Sequence, residues 1–108
     1  MGTDRFILVL TTAGSEPQAQ EIGRALVERR LAACVNVLAP ACSIYRWEGR
    51  VVEEEERLLL IKTTERRFEA VRLAIHELHS YQVPEVIALP IQGGDATYLA
   101  WLTESVAE

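Results

Sequence analysis

The residues best suited to metal chemistry are His76 and His79, which stand three residues apart. Side chains with this spacing lie on one face of a helix, and neutral imidazole binds copper, nickel and zinc. The pair is therefore a candidate metal site. The alternative is structural, because a cationic side chain near a helix C-terminus is stabilised by the helix dipole. The pair does not match the H-E-x-x-H signature of metalloproteases, since the second histidine comes one residue early.

Cysteine and glutamate supply two further groups of potential ligands. Cys34 and Cys42 match no C-x-x-C or zinc-ribbon spacing, and we expect free thiols. Thiolates select Cu(I), but free cysteine is often simply interior, and core packing is the interpretation we favour for both. In the acidic run Glu53–Glu56, strand alternation lets at most two carboxylates share a cation site. A solvated edge that resists aggregation is the favoured alternative.

Composition and charge exclude several classes of protein. The length of 108 residues predicts one domain, residues 1–108, and the net charge of −5 argues against a nucleic-acid partner. No apolar run reaches the roughly 18 residues of a membrane span, and the N-terminus lacks the features of a signal peptide. We therefore expect a cytoplasmic protein with no membrane partner. Standard catalytic motifs and nucleotide-binding glycine patterns are missing from the sequence, so we expect no enzyme.

Alternating strands and helices must position these residues. The apolar run Phe6–Leu10 is typical of a central strand. Ser15, with Gln18 completing a capping box, predicts a helix from Glu16 to Leu31. A second strand is predicted from Ala33 to Trp47.

A long hairpin is predicted in the middle of the chain. Pro40 should bend its first arm, and Glu48-Gly49 suits a two-residue turn because glycine accepts positive φ. The second arm runs from Arg50 to Thr63. The first arm, Ala33 to Trp47, would reach about 50 Å at about 3.3 Å per residue, whereas a compact domain of this size has a radius of gyration of about 13 Å. A projecting ribbon exposes apolar surface and strand edges, so we expect an oligomer that covers it.

The last part of the chain completes the pattern. Thr64 can cap a second helix, and Glu85–Ile91 reads as a final strand. Asp95 can cap a short C-terminal helix. The apolar stripe of the second helix comprises Phe68, Val71, Ile75 and Leu78. The order β-α-β-β-α-β predicts an α+β, ferredoxin-like sandwich with a long bent β2-β3 hairpin and a short C-terminal helix.

Five collinear blocks make the chain resemble the CutA family of divalent-cation tolerance proteins. The blocks are Leu31-Ala32-Ala33-Cys34-Val35-Asn36, Ser43-Ile44-Tyr45-Arg46-Trp47-Glu48-Gly49, Leu59-Leu60-Ile61-Lys62-Thr63-Thr64, His79 to Glu85, and Tyr98-Leu99-Ala100-Trp101-Leu102. The resemblance implies a ferredoxin-like homotrimer whose subunits join through the long hairpin, as in the PII proteins. It also implies a role in tolerance of copper and other divalent metals.

The chain departs from the family pattern at the implied metal ligands. Copper-linked members carry a cysteine near the end of the first strand, where this chain has Thr11. The usual His-Pro-Tyr is His79-Ser80-Tyr81, and some members place a second histidine at the position of Leu78. The resemblance therefore implies that His79 is a candidate metal ligand, whereas the soft cysteine ligand is replaced by Thr11.

A group of side chains could form a cleft between subunits of such a trimer. By strand order, Thr11, Lys62 and Glu85 lie near strand ends and Tyr81 in the turn before the last strand, and a neighbouring subunit would bring Trp47. A lysine, a carboxylate and two aromatic rings could hold a small anion or a polar metabolite. The alternative is an interface salt bridge between Lys62 and Glu85.

Three functions follow from these observations. The leading one is a non-enzymatic trimer that confers divalent-metal tolerance, chiefly to copper, through weak binding of copper or another divalent cation. The second is a PII-like regulatory trimer that binds a small metabolite in its clefts and depends on Lys62. The third is a structural or adaptor trimer without a ligand.

Overall fold

A sheet of five antiparallel strands carries three helices in the computed structural model, which describes residues 4–108. The first three residues, which entered the argument about a signal peptide, lie outside this range. The elements in chain order are β1 (Phe6–Ala13), α1 (Glu16–Glu28), β2 (Cys34–Val37), β3 (Ala41–Trp47), β4 (Arg50–Thr64), α2 (Phe68–Leu78), β5 (Ile87–Pro90) and α3 (Ala96–Ser105).

The strand order confirms the ferredoxin-like prediction. The sheet runs β2-β4-β1-β5, and β3 pairs with the other half of β4. Val9 of β1 stands opposite Ile61 of β4 and Ala88 of β5, so the central strand pairs on both sides. With β2 and β3 counted as one interrupted strand, the order along the chain is β-α-β-β-α-β.

The main core lies between one face of the sheet and helices α1 and α2. Alternate residues of β1 are buried on this side, beginning with Ile7 and Val9. They pack with Ile22 of α1 and Ile75 of α2, and all four belong to one apolar cluster. The alternation follows from the pleat, which points successive side chains to opposite faces.

The opposite face of the sheet is only partly covered. Helix α3 buries Leu102 and Val106 against Phe6 and Ala33. Large apolar side chains remain exposed on β5, on α3 and along β2, β3 and β4. They include Val37, Ile44, Trp47, Val51, Ile87, Leu89, Tyr98 and Trp101.

The hairpin is interrupted where proline requires it. The strand predicted from Ala33 to Trp47 divides into β2 and β3 around Pro40, which cannot donate to the strand ladder. Glu48 and Gly49 form the turn with φ of 51° and 81°, as expected for a two-residue hairpin loop. The molecule measures 47 × 25 × 24 Å with a radius of gyration of 14.5 Å, so the prediction of a projecting ribbon is confirmed.

Helix α1 ends at Glu28, three residues before the predicted Leu31. Arg30 adopts a left-handed φ of 60°, and the amide of Leu31 donates to the carbonyl of Leu26 at 2.9 Å. The amide of Arg30 donates to the carbonyl of Val27 at 3.0 Å. These two bonds form a Schellman motif, which satisfies the last carbonyls and turns the chain into β2. The motif usually contains glycine, so arginine gave no signal for it.

The predicted capping residues are confirmed in part. The hydroxyl of Ser15 accepts from the Gln18 amide at 3.3 Å, and the carboxylate of Asp95 accepts from an amide N–H three residues later. The other half of the predicted capping box, in which the Gln18 side chain would accept a hydrogen bond from the amide of Ser15, is wrong. The side chain of Gln18 instead donates to the carbonyl of Leu78 at 3.3 Å and accepts from the amide of Ser80 at 3.0 Å, which ties α1 to the end of α2.

The cap predicted at Thr64 is also wrong. Its side chain makes no capping hydrogen bond, and a short 3-10 turn at Glu65–Arg67 separates it from α2. Asp4 supplies a side-chain acceptor at this turn instead, because its Oδ1 accepts a hydrogen bond from the amide of Arg66 at 3.3 Å.

The bounds of β1 and β5 differ most from the prediction, because strand pairing sets them. β1 continues past Leu10 to Ala13, which stands opposite Arg57 of β4. β5 is shorter than Glu85–Ile91, since only residues 87–90 pair with β1. Between Asp4 and the C-terminus, no helix is both long and apolar enough to cross a membrane.

Candidate functional site

A cavity of about 760 Å³ lies between the β3–β4 hairpin and the segment 81–85, which follows α2. We call it the hairpin cavity. Three residues of the predicted cleft, Trp47, Tyr81 and Glu85, line it together. Trp47 was expected to arrive from a neighbouring subunit, yet it lines the cavity of its own chain. The other polar and aromatic lining residues are Thr12, Ser43, Tyr45, Glu54, Glu56 and Gln82.

Strand alternation selects the acidic residues that reach the cavity. Glu54 and Glu56 line it, and Glu53 and Glu55 do not. Tyr45 joins them because it stands opposite Val52, two residues before Glu54 on the same side of the hairpin. The prediction that at most two of the four glutamates share one side is thus confirmed.

Tyr81 and Glu56 form the buried end of the cavity. The Tyr81 hydroxyl donates to Glu56 Oε2 at 2.6 Å, and Glu56 is only 5% exposed. The pKa of Tyr81 is raised well above its usual value, chiefly because the phenol is partly buried and secondly because it donates this hydrogen bond to a carboxylate. Gly14 makes room for the ring, since a Cβ at this position would lie 3.0 Å from the Tyr81 hydroxyl oxygen.

A second tyrosine–carboxylate pair lies nearer the hairpin tip. The Tyr45 hydroxyl donates to Glu54 Oε1 across the two arms. This hydrogen bond raises the pKa of Tyr45 to about 12, because ionisation would place two negative charges in contact. Both phenols therefore stay neutral at physiological pH.

His79 connects the cavity segment to the sheet. Its Nε2 lies 2.6 Å from the carbonyl oxygen of Thr12, and its Nδ1 accepts from the amide of Tyr81 at 3.0 Å. A carbonyl oxygen only accepts, so we assign the hydrogen to Nε2 and the lone pair to Nδ1. The ring centroids of His79 and Tyr81 are 4.3 Å apart, and His79 is 8% exposed.

This geometry does not fit His79 as a metal ligand. Both ring nitrogens are engaged by backbone atoms, and neither has a free lone pair for a cation. His76, the other candidate, is exposed on α2. Over residues 4–108, no group of three or more His, Cys, Asp or Glu side chains could hold a metal ion.

Two residues of the predicted cleft lie away from the cavity. Thr11 is fully buried on the helix side of β1, with no hydrogen-bond partner for its Oγ1 among the described residues, and its neighbour Thr12 lines the cavity instead. Lys62 stands opposite Leu8, and its Nζ lies 5.8 Å from the centre of the Tyr98 ring on α3. One chain therefore does not bring Thr11 and Lys62 to the other three predicted residues.

The cysteines are free, as expected, but their environments differ. Cys34 on β2 is partly buried, whereas Cys42 on β3 is exposed. The interpretation of both as core packing is therefore wrong for Cys42, because β3 lies beyond Pro40 in the arm that leaves the body of the chain.

Tyr45 is a cavity residue that the sequence analysis did not assign to any site. Glu54 and Glu56 were interpreted there as part of a solvated edge, and this interpretation is wrong for Glu56, which lines the cavity and is only 5% exposed. The alternation of side chains along β4 could have predicted that Glu54 and Glu56 point to the same side of the strand as Val52. No sequence pattern predicts that the segment 81–85 lies over this side of the hairpin.

Comparison with known proteins agrees with this architecture. A family model described as "CutA1 divalent ion tolerance protein" matches residues 7–105. The chain is 52% identical over 98 residues to the divalent-cation tolerance protein CutA of Thermus thermophilus, covering 91% of this chain and 95% of that one. It is 45% identical to human protein CutA over 100 residues, 90% of this chain, but spans only 56% of that longer relative.

The solved structures give the same result. The structure of the divalent cation tolerance protein from Thermus thermophilus superimposes with a TM-score of 0.92 at 50% sequence identity, covering 94% of this chain and 99% of that one. The sequence match, the strand order and the hairpin all lead to one conclusion. The chain belongs to the CutA1 divalent ion tolerance protein family.

Proposed function

We propose that the chain acts as a cytoplasmic, non-enzymatic homotrimer in tolerance of divalent metals, chiefly copper. Membership of the divalent ion tolerance family carries this proposal. The acidic net charge of −5 favours cationic over anionic partners and argues against nucleic acid.

Weak, exchangeable metal binding follows from the donors that the chain offers. With no group of three or more potential ligands among residues 4–108, contact within one subunit involves at most two of them at a time. The exposed nitrogen and sulfur donors that suit copper are His76 on α2 and Cys42 on β3. An imidazole and a thiol both suit copper, and the thiolate favours Cu(I). His79 contributes structure rather than a ligand.

Trimer formation is supported by the apolar surface that one chain leaves open. Ile87 and Leu89 of β5, on the face of the sheet that α3 covers only partly, and Trp101 of α3 itself are each more than 40% exposed. Ile44 and Val51 are exposed on the hairpin. Association is one way in which proteins cover exposed apolar surface of this kind.

Equilibrium dialysis of the reduced protein against copper tests the metal proposal. We expect weak binding that falls in Cys42→Ser and in His76→Ala. Cys34→Ser is the matched control, because its thiol is partly buried and should contribute little. Equal loss in the two cysteine variants, or loss of copper only in His79→Gln, would contradict the proposed donors.

The hairpin cavity favours a second function, the PII-like binding of a small metabolite. Its volume of about 760 Å³ falls within the range of small-molecule sites, and aromatic rings and carboxylates line it. A ligand that binds the folded trimer raises its melting temperature by mass action. A thermal-shift screen of charged and polar metabolites should therefore yield stabilising compounds. A screen in which no compound shifts the melting temperature would favour an adaptor trimer without a ligand.

A further inference from the structure

We propose that the hairpin cavity binds a small organic cation, a molecule that carries an ammonium or guanidinium group. The inference deepens the second proposed function and rests on it, since it requires that the cavity binds a small molecule. It starts from charge, because Glu54, Glu56 and Glu85 line the cavity and its described lining includes no Lys, Arg or His. These three carboxylates form no ion pair within residues 4–108.

The buried carboxylate gives the cavity a strong preference for positive charge. Glu56 is 5% exposed, and its Oε2 accepts from Tyr81. Its other oxygen, Oε1, accepts no side-chain hydrogen bond from the described residues. A carboxylate that is largely shielded from water and lacks a cationic partner attracts a cation brought beside it more strongly than an exposed carboxylate does.

Aromatic walls suit an organic cation. Trp47, Tyr45 and Tyr81 line the same cavity. The faces of such rings attract ammonium and guanidinium groups, and several rings around one cation add their attraction. Each tyrosine hydroxyl already donates its hydrogen to a glutamate, so the phenol oxygens face a ligand as acceptors only. Every polar group named here therefore favours a donor that carries positive charge.

Two other classes of ligand fit the cavity less well. Within one chain, an anion would meet carboxylates without a compensating base, because Lys62 lies beside Tyr98 on another part of the sheet. A bare metal ion would need converging ligands, and no group of three potential ligands exists among residues 4–108. A cavity of about 760 Å³ with apolar walls matches an organic molecule rather than an ion.

Three probes of similar size separate these classes. The full-length trimer is titrated by isothermal calorimetry with benzylammonium, with the neutral benzyl alcohol and with the anion benzoate. We expect benzylammonium to bind with a dissociation constant of about 1 mM or lower, and at least tenfold more tightly than either of the other probes.

Two neighbouring glutamates provide a matched pair of variants. Glu54→Gln removes a charge from the cavity wall, whereas Glu53→Gln removes the same charge from the other side of β4. We expect Glu54→Gln to weaken benzylammonium binding about tenfold and Glu53→Gln to change it by less than about twofold, because the second charge is directed into solvent. Glu85→Gln, on the other wall, should act like Glu54→Gln and provides a second variant should the first fail to fold.

The outcomes separate this inference from the function on which it rests. Tighter binding of benzoate, or equal binding of all three probes, would show a small-molecule cavity of a different class and overturn the inference alone. Equal effects of Glu53→Gln and Glu54→Gln would also overturn it, because binding would then not depend on whether the charge lies in the cavity. Binding of none of the probes would also overturn it, and the metabolite screen then tests the proposed function by itself.

Discussion

Replacing His79 should destabilise the protein without removing a metal ligand. In the structure, Nε2 donates to the carbonyl of Thr12 at 2.6 Å and Nδ1 accepts from the amide of Tyr81 at 3.0 Å. The imidazole also packs on the Tyr81 ring, with 4.3 Å between the centroids. His79→Ala removes all three interactions and leaves two backbone groups in a part-buried environment.

The size of the effect follows from these contacts. Each hydrogen bond contributes about 1 kcal/mol, and a ring contact adds about 0.5–1.5 kcal/mol. We therefore expect His79→Ala to lower the free energy of unfolding by about 2–4 kcal/mol, measured by urea denaturation at fixed protein concentration. Amide hydrogen exchange should accelerate in residues 79–85. His79→Gln, which can still donate to Thr12, should lose about half as much.

His76→Ala is the matched control, because His76 is exposed near the end of α2 and its side chain forms no hydrogen bond among the described residues. It should change the free energy of unfolding by less than about 0.5 kcal/mol. The reasoning is refuted if the two variants are equally stable, or if His79→Ala loses copper binding while its stability is unchanged.

Three further substitutions or conditions test the packing around the cavity and the C-terminal helix. Gly14→Ala should cost about 1–2 kcal/mol, since its Cβ would lie 3.0 Å from the Tyr81 hydroxyl oxygen. Arg67→Ala should cost about 1–3 kcal/mol and speed amide exchange in α3, because the Arg67 guanidinium donates to the Val106 carbonyl at 2.8 and 2.6 Å. The melting temperature should fall as pH rises from 10 towards 12. The raised pKa values of Tyr81 and Tyr45 mean that the folded protein holds these protons more tightly, so their stabilisation is complete below pH 10 and is lost above it.

Each of these predictions has its own control. Gly93→Ala should be close to neutral, because a Cβ there would meet no atom within 4 Å. Arg72→Ala removes only an exposed pair with Glu69 and should leave α3 unchanged. Tyr81→Phe should flatten the alkaline fall in melting temperature. A fall that is the same in this variant would contradict the role given to Tyr81.

The sequence was sufficient for most of the fold because each element has a local signal. Apolar runs marked the strands, Ser15 and Asp95 marked two helix starts, and Glu48-Gly49 marked the hairpin turn. The end of α1 was misplaced because its left-handed residue is Arg30, and the usual glycine is missing.

The candidate site was only half predictable. Trp47, Tyr81 and Glu85 do meet in one cavity, but Thr11 points to the helix side of β1 and Thr12 to the cavity. A shift of one residue along a strand reverses the face, and two adjacent threonines give no signal for the choice. The hydrogen bonds of the His79 ring could not be predicted either, because both partners are backbone groups, which nearly every residue supplies.

Native mass spectrometry of the metal-stripped protein, with and without copper under reducing conditions, tests the central proposal most directly. It counts subunits and bound metal in one spectrum. The proposal predicts a trimer that gains about one copper ion per subunit and loses it readily to a chelator. A monomer, or a trimer that gains no copper, would contradict it.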